Sequence, residues 1–242
     1  MSPINLPTFL KLPLLLCEAV CMRINATPPN APLPREGIII PDWREKFLRG
    51  LGLPCRIFRL LSWSAMFIEF IVIVAMYNPE GAISRLILAT LASSDKCVSN
   101  IRITPLLILG NILTISGTSL RVRCYRTLGR FFTFELRIQS RHQLIKEGPY
   151  SVVRHPSYTA LILTVLGAFT SHASGSWIVN CGLLKTPIGV SLAMIWVGVA
   201  LAVIASLLLR IPREDDLLRK SFGIEWNLWA RKVPYCLVPG IY

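Results

Sequence analysis

The chain has 242 residues, of which 53% are hydrophobic and 16% are charged, and this excess of apolar residues excludes an ordinary soluble domain and predicts an integral membrane protein. The formal net charge of +13, from 26 Lys and Arg against 13 Asp and Glu, is compatible with anionic lipid headgroups or with nucleic acid. Because the basic residues border apolar segments and form no separate basic domain, we expect membrane lipid, and no nucleic acid, as a partner.

The seven cysteines are scattered and include no CxxC pair. We therefore expect reduced thiols, with neither a disulfide framework nor a zinc site. The three histidines of the chain, His142, His155 and His172, leave few ligands for a metal ion, so the sequence predicts no metal centre.

The first apolar segment covers residues 5–22 and includes Lys11, Pro13 and Glu18. A signal peptide is the alternative, but no small-residue cleavage site follows the segment, so we interpret it as a first crossing over residues 7–22. Residues 26–42 contain five prolines, which lack the N–H group that a helix requires, and predict an extended connector.

The second predicted crossing covers residues 60–79. Its start is placed in the cytosol by six preceding basic residues, namely Arg35, Arg44, Lys46, Arg49, Arg56 and Arg59. Glu69 lies near the middle of this crossing, where a charge costs about 2.5 to 3.5 kcal/mol on insertion scales. We therefore expect Glu69 to face protein or to be protonated. Its role would be either a hydrogen bond that packs two helices together or a part in a substrate channel.

Residues 83–93 are too short to cross a bilayer, which needs about 20 apolar residues, and they predict an interfacial helix. Residues 103–120 carry no charge and form the third predicted crossing. This crossing ends in the cytosol, because it is followed by the basic residues Arg121, Arg123, Arg126 and Arg130.

Two further apolar crossings, over residues 157–173 and 188–209, are separated by a connector whose one charged residue is Lys185. Since the basic flanks of both lie on the same side, they form a hairpin around a lumenal turn. The fold class is therefore a polytopic all-α membrane protein with about five crossings, a lumenal N-terminus and a cytosol-facing C-terminal site. We expect one membrane domain over residues 1–242, with N-terminal helices in 1–120 and the site in 121–242.

The tail over residues 217–233 places Leu218, Phe222, Glu225 or Trp226, and Trp229 at helical steps of three and four. This spacing predicts one stripe of a single helix. Its tryptophans, Trp226 and Trp229, suit the interface between membrane and water.

The hairpin returns a first polar stretch, residues 142–158, to the cytosolic face of the membrane. Gly148 and Pro149 form a turn signal, and Pro156 moves His155 out of the helical region. Membrane proteins retain such irregular backbone where it lines a cavity, and the polar residues of this stretch are His142, Tyr150, Arg154, His155, Ser157 and Tyr158. A basic loop that only binds lipid phosphate is the alternative.

The second polar stretch covers residues 210–223. Arg210 and Glu214 are four residues apart, so their side chains share one face of a helix. A surface ion pair, which contributes about 0 to 1 kcal/mol, explains this spacing equally well. Spacing alone does not distinguish a binding site from a surface pair.

Together the two stretches resemble the isoprenylcysteine carboxyl methyltransferase family. The first contains the pattern HxLIxxGxYxxxRHPSY from His142 to Tyr158, and the second contains RxxxEDxxLxxxFG from Arg210 to Gly223. RHPxY alone is shared with other membrane methyltransferases and with sterol reductases. The HxLIxxGxY run, the acidic pair before Phe-Gly and the terminal Val-Pro are more specific.

The resemblance implies a multi-pass enzyme of the endoplasmic reticulum that methylates the C-terminal carboxylate of prenylated cysteine in CaaX-type proteins after their proteolysis. The methyl donor would be S-adenosylmethionine, without a metal. Carried over by position, Arg210 is the catalytic and substrate-binding arginine that meets the carboxylate. Asp215 stands where the family has a second glutamate. The donor-binding residues would be His142, Gln143, Leu144, Ile145, Tyr150, His155, Pro156, Ser157, Tyr158 and Glu214.

Three other functions remain open at this point. A phospholipid N-methyltransferase would need a base that accepts a proton from an amine, and it would not need a carboxylate-binding arginine. A sterol-reductase-like oxidoreductase would use NADPH, although the chain is short for one. A membrane adaptor without catalysis is the third alternative.

Overall fold

The structure, a computed structural model, describes residues 6–30, 52–92, 94–133 and 142–241. All regular elements within these residues are helical, which confirms the predicted all-α class. The predicted connector beyond residue 30, with Arg35, Arg44, Lys46 and Arg49, lies outside them.

The α-helices of the described residues are α1 (Leu6–Phe9), α2 (Lys11–Ala26), α3 (Gly52–Tyr77), α4 (Ala82–Leu91), α5 (Asp95–Asn100), α6 (Pro105–Leu128), α7 (Pro156–His172), α8 (Trp177–Asn180), α9 (Pro187–Phe222) and α10 (Ile224–Lys232). Short 3₁₀ turns cover Gly129–Phe131, Gly148–Ser151 and Leu183–Lys185.

Three helices of the described residues are long and apolar enough to cross a membrane, and they cover Arg56–Tyr77, Pro105–Phe131 and Pro187–Phe222. They correspond to the predicted crossings at 60–79, 103–120 and 188–209. The other two predicted crossings correspond to α2 and α7, which have 16 and 17 residues. At about 1.5 Å per residue these two are shorter than a hydrocarbon core of about 30 Å. The fold agrees with a polytopic membrane protein, and the number five stays a prediction.

Helices α6 and α7 run antiparallel and approach closely because small residues line their contact. Gly110 and Gly117 of α6 face Ser171 and Ala160 of α7, respectively. A Cβ atom at Gly117 would lie 2.6 Å from the carbonyl oxygen of Ala160, and one at Gly167 of α7 would lie 2.6 Å from the carbonyl oxygen of Gly110. Small residues allow membrane helices to pack at such short distance. We term this contact the α6–α7 seam.

Buried charges attach α2 to the rest of the bundle. Lys11 of α2 forms an ion pair with Glu69 of α3, and both side chains are fully buried. Glu69 also accepts a hydrogen bond from the backbone N–H of Trp177 at 3.1 Å, while Glu18 lies 3.4 Å from His172 of α7. Buried charges are tolerated when they are paired in this way. Of the two interpretations of Glu69, the helix-packing contact is the one observed.

The expectation of reduced thiols is wrong for one pair of cysteines. Cys97 of α5 and Cys181, which follows α8, form a disulfide with their Cα atoms 4.7 Å apart. They are separated by 84 residues in the chain, so no local spacing indicated the pair. A disulfide requires only that the two Cα atoms come within about 4.4 to 6.8 Å, and here the tertiary fold provides that distance.

Helix α9 continues well beyond the predicted end of its crossing at residue 209. It passes through Pro212 and ends at Phe222, and α10 begins at Ile224. Gly223 between them has a φ of +54°, a conformation that glycine adopts at little steric cost. The predicted single tail helix over residues 217–233 is therefore wrong: it consists of two helices, and the turn at Gly223 interrupts the stripe.

We expect Gly117→Ala to destabilise the protein, because the added Cβ would meet a backbone oxygen of α7 that cannot move independently. Overpacking of this kind costs about 1 to 3 kcal/mol. Gly198→Ala on α9 is the matched control, since no atom lies within 4 Å of the position of its Cβ. Thermal unfolding of the purified protein in detergent compares the two variants. Equal midpoints would contradict the importance of the α6–α7 seam.

Candidate functional site

The start of α7 and the middle of α9 lie side by side and bring two distant parts of the sequence together. Six side chains meet there, and we term this group the α7–α9 polar cluster. The α7 side contributes the residues that precede or begin the helix, and α9 contributes residues just beyond its apolar part. The members are Arg154, His155, Tyr158, Arg210, Glu214 and Asp215.

Glu214 is the centre of the α7–α9 polar cluster. Its Oε2 atom accepts a hydrogen bond from the Tyr158 hydroxyl at 2.5 Å. The same oxygen lies 3.7 Å from Nε of Arg210 and 4.0 Å from Nδ1 of His155. The Arg210 side chain is only 8% exposed. The pair that the spacing predicted is therefore present, and because Arg210 is buried and Glu214 only partly exposed, it differs from an ordinary surface ion pair.

Asp215 is the second carboxylate of the cluster and joins two residues of the stretch before α7. Its Oδ1 atom lies 3.0 Å from Nε2 of His155, and its Oδ2 atom accepts a hydrogen bond from Nε of Arg154 at 3.2 Å. The imidazole of His155 stacks on the Tyr158 ring with the centroids 5.4 Å apart. Asp215 thus positions His155 beside the residue that donates to Glu214. The resemblance placed Asp215 at a family position but assigned it no contact.

The C-terminal segment closes one side of the cluster through backbone hydrogen bonds. Arg154 donates from its side chain to the carbonyl oxygen of Pro234 at 2.7 Å. The backbone N–H groups of Arg154 and His155 donate to the carbonyl oxygens of Tyr235 and Cys236 at 2.9 and 2.8 Å. The irregular stretch before α7 therefore has hydrogen-bond partners from the end of the chain, as buried backbone groups require.

Arg121 connects the α6–α7 seam to the site. Its side chain is buried and donates to the hydroxyl and the carbonyl oxygen of Ser157 at 2.6 and 2.8 Å. The sequence predicted Arg121 only as a mark of the cytosolic membrane face. Its contact with Ser157 depends on how α6 packs on α7, and no local pattern indicates that contact.

A second group of predicted residues packs beside the polar cluster. The indole N–H of Trp229 donates to the carbonyl oxygen of Tyr150 at 3.2 Å. Burial raises the pKa of Tyr150 well above its ordinary value, and the neighbouring Cys124 and the negative charge of Glu214 raise it further. The Tyr150 hydroxyl therefore stays neutral and lies within the electrostatic reach of Glu214. The buried members of the group are Cys124, Tyr150, Trp229 and Val233, and the partly buried residues Leu120, Leu128, Leu144, Ile145 and Trp226 pack against them.

The remaining predicted residues lie outside these two groups. The His142 ring stacks on Phe131 at 4.6 Å and meets the edge of Phe222 at 5.7 Å. Burial there lowers the pKa of His142, which favours its neutral form. Gln143 is exposed, and Pro156 begins α7 and lines a separate surface groove.

The polar cluster offers chemically complementary groups. A guanidinium such as that of Arg210 has a planar fork of N–H groups that fits a carboxylate or a phosphate. The carboxylate of Glu214, beside the ring of Tyr158, suits a cation. No group of three or more His, Cys, Asp or Glu in the described parts of the chain is arranged to bind a metal ion. The site can thus accommodate an anionic and a cationic group next to each other.

Comparison with known proteins relates this site to one family. A profile of the isoprenylcysteine carboxyl methyltransferase family matches residues 110–181. The "Probable protein-S-isoprenylcysteine O-methyltransferase" of Oryza sativa subsp. indica is 31% identical over 127 residues. The "Protein-S-isoprenylcysteine O-methyltransferase B" and "A" of Arabidopsis thaliana are 30% identical over 127 residues and 28% identical over 126 residues.

These alignments cover 51% to 52% of this chain and 55% to 57% of the relatives. The chain thus spans about half the length of the curated relatives that it matches. The residues that the family profile covers include most of α6, the polar stretch before α7 and all of α7, and they end before Arg210 and Glu214. The predicted resemblance to the isoprenylcysteine carboxyl methyltransferase family is therefore confirmed, and the match to the family profile covers the α6–α7 part of the site.

Proposed function

We propose that this protein transfers a methyl group from S-adenosylmethionine to the C-terminal carboxylate of a prenylated cysteine, in CaaX-type proteins after their proteolysis. The observation that supports this function best is the pairing of buried Arg210 with partly exposed Glu214 in the α7–α9 polar cluster. It offers a cationic group for the carboxylate directly beside an anionic group for the donor. The names of the plant relatives agree with this reaction.

The residues proposed to hold the donor suit a sulfonium compound with an aromatic base. Glu214 and the stacked rings of His155 and Tyr158 are one part of this site. A buried hydrogen-bond donor is also present, because the indole N–H of Trp226 has no acceptor within the described part of the chain. S-adenosylmethionine would supply an electrophilic methyl group, which gains a bond to the carboxylate oxygen as its bond to sulfur breaks. The proposed donor-binding residues are His142, Gln143, Leu144, Ile145, Tyr150, His155, Pro156, Ser157, Tyr158 and Glu214.

The reaction needs alignment of the nucleophile more than a base. A free terminal carboxylate has a pKa of about 3.3 to 3.7 in model peptides, so it is already ionised at neutral pH. Arg210 would orient it through two parallel hydrogen bonds. Glu214 lies 3.7 Å from the same guanidinium and offsets part of its charge, so the carboxylate keeps its nucleophilicity. The methyl ester is neutral and loses this ionic contact, which favours product release.

The charges of the cluster favour a carboxylate substrate over an amine. Arg154 and Arg210 balance Glu214 and Asp215 before any ligand binds. An anionic substrate that binds together with a cationic donor preserves this balance. A phospholipid N-methyltransferase would need a group that accepts the amine proton, and it would leave Arg210 without a role.

The prenyl chain is proposed to reach Arg210 from the bilayer. Leu208 and Leu209 directly precede Arg210 in α9, and their side chains are 40% and 53% exposed. An apolar chain that lies along this surface gains about 0.8 kcal/mol for each buried CH₂ group. The carboxylate at the end of the chain would then arrive at the cluster from the membrane side.

We propose that the site lies on the cytosolic face of the endoplasmic reticulum membrane, and two independent features support this orientation. The Cys97–Cys181 disulfide lies near the end of α7 opposite to the polar cluster, where the backbone N–H of Arg102 donates to Gly175. Disulfides persist in oxidising compartments such as the lumen of the endoplasmic reticulum. At the site end, the arginines that follow Leu120 mark the cytosolic side.

The orientation can be measured by cysteine labelling. In sealed endoplasmic reticulum vesicles with the cytosolic side out, a membrane-impermeant maleimide should label Arg231→Cys near the site. It should not label Lys185→Cys near the disulfide until detergent opens the vesicles. Both positions are exposed, so access is the only difference. The reverse pattern would contradict the proposed orientation.

We expect Arg210→Lys to lower kcat/KM for N-acetyl-S-farnesylcysteine by about 30- to 100-fold, because lysine keeps the charge but loses the planar fork. The affinity for S-adenosylmethionine should stay unchanged in the same variant. Arg219→Lys, at an exposed position of α9, is the control and should behave like the unmodified protein. An unchanged kcat/KM in Arg210→Lys would remove this residue from the substrate site.

We expect the opposite pattern for Glu214→Gln, which keeps a similar shape but removes the negative charge beside the donor. The affinity for S-adenosylmethionine should fall by about tenfold or more, as for loss of a hydrogen bond to a charged group. Isothermal titration with the purified protein measures this affinity. Asp216→Asn is the control, because Asp216 forms an exposed pair with Lys220 at 2.7 Å. Equal affinities in both variants would exclude Glu214 from the donor site.

A further inference from the structure

A groove of about 610 Å³ opens at the surface between the end of α6 and the start of α7. The turn at Gly148–Ser151, the residues after it and the C-terminal segment around Leu237 complete its walls. None of the six residues of the α7–α9 polar cluster lines the groove. It is therefore a separate feature of the surface at the same end of the molecule.

Two arginines form the rim of this groove. Arg123 and Arg126 are three residues apart on α6, so they lie on one face of the helix, and both are exposed. Within the described residues, neither guanidinium forms a hydrogen bond or an ion pair with the protein. Arg121 of the same helix, in contrast, is buried and bound to Ser157. The rim arginines are thus available to a ligand, and their charges repel each other unless an anion lies between them.

The floor of the groove is apolar. Val153 and Leu237 are buried beneath it, and Val152 is 54% exposed at its side. Leu120 lines the groove where the apolar part of α6 ends. Because basic residues at the end of a crossing lie at the level of the lipid headgroups, the rim would lie at headgroup depth and the floor would continue into the bilayer.

We propose that this groove binds an anionic phospholipid, with the phosphate between Arg123 and Arg126 and one acyl chain against Leu120, Val152 and Val153. Charge complementarity decides the occupant. The rim repels the positive group of a zwitterionic headgroup, and a free inorganic anion makes no use of the apolar floor. The groove shares Pro156 with the proposed donor-binding residues but none of the six residues of the α7–α9 polar cluster, and lipid binding there goes beyond the proposed function.

The bound lipid would also contact the start of α7. Val153 and Pro156 line the groove, and they flank Arg154 and His155 of the polar cluster in the chain. An acyl chain on this side would bury apolar surface of the residues that begin α7. Anionic lipid is therefore expected to stabilise the end of the bundle that carries the site.

Lipid binding can be measured on the full chain in nonionic detergent micelles, with fluorescent phosphatidylglycerol as the probe and fluorescence anisotropy as the readout. The double variant Arg123→Gln/Arg126→Gln should bind the probe about tenfold more weakly, because each basic side chain contributes to attraction by an anionic lipid. Arg219→Gln/Arg231→Gln removes the same charge from exposed positions of α9 and α10. The affinity of this control variant for the probe should fall by less than about twofold, since its arginines lie outside the groove.

A second variant tests the shape of the groove. Val152→Trp fills it without a change of charge and should also weaken binding by about tenfold, because the acyl chain loses its contact surface. Helical circular dichroism and the thermal midpoint verify that each variant is folded. Unlabelled phosphatidylglycerol should displace the probe, whereas phosphatidylcholine should not.

Several results would overturn the proposal. Equal losses in the groove and control double variants would show only general attraction by charge, and normal binding in Val152→Trp would exclude the groove as the acyl site. Displacement of the probe by inorganic phosphate would identify a free anion as the occupant. Displacement by N-acetyl-S-farnesylcysteine would instead identify the groove as a passage for the prenyl substrate. None of these measurements depends on methyl transfer, so a result that overturns the lipid site would not contradict the proposed reaction.

Discussion

The close approach of α6 to α7 is the contact on which the site depends. Glycines at 110, 117 and 167 remove the side chains that would separate the two helices. At this distance Arg121 of α6 reaches Ser157 at the start of α7. In a membrane, where apolar surface alone does not drive helices together, packing of small residues and hydrogen bonds between helices provide the association. The seam therefore sets the position from which His155 and Tyr158 meet α9.

Paired charges complete the arrangement at both ends of the bundle. Lys11 and Glu69 form a buried ion pair near the end of α7 that lies close to the disulfide. At the opposite end, Arg210 and Glu214 combine with Asp215, which holds His155. Partners are required because an unpaired charge in a low-dielectric interior is costly. The difference lies in exposure: Lys11 and Glu69 are fully buried, whereas Glu214 is 28% exposed and accessible to a ligand.

Local sequence patterns predicted helices and contacts correctly where these depend on residues that are close together in the chain. The apolar segments predicted three of the long helices, and Pro156 indicated the start of α7 because proline restricts the residue before it. The four-residue spacing predicted the contact of Arg210 with Glu214. The Cys97–Cys181 disulfide, the continuation of α9 through Pro212 and the turn at Gly223 were missed. Each of these depends on tertiary neighbours or on a single backbone conformation, which periodicity does not report.

Composition and residue spacing are sufficient to predict an all-α membrane protein with two polar stretches next to its apolar segments, and these stretches resemble one methyltransferase family. Composition and helical period are properties of adjacent residues, so they can be read without a fold. Which residues meet depends on how the helices pack: Arg121 contacts Ser157, Asp215 contacts His155, and Glu214 contacts Tyr158. These contacts join residues 36 to 60 positions apart. They exist because the packing of α6, α7 and α9 brings distant backbone together, and local patterns of residue type do not report that packing.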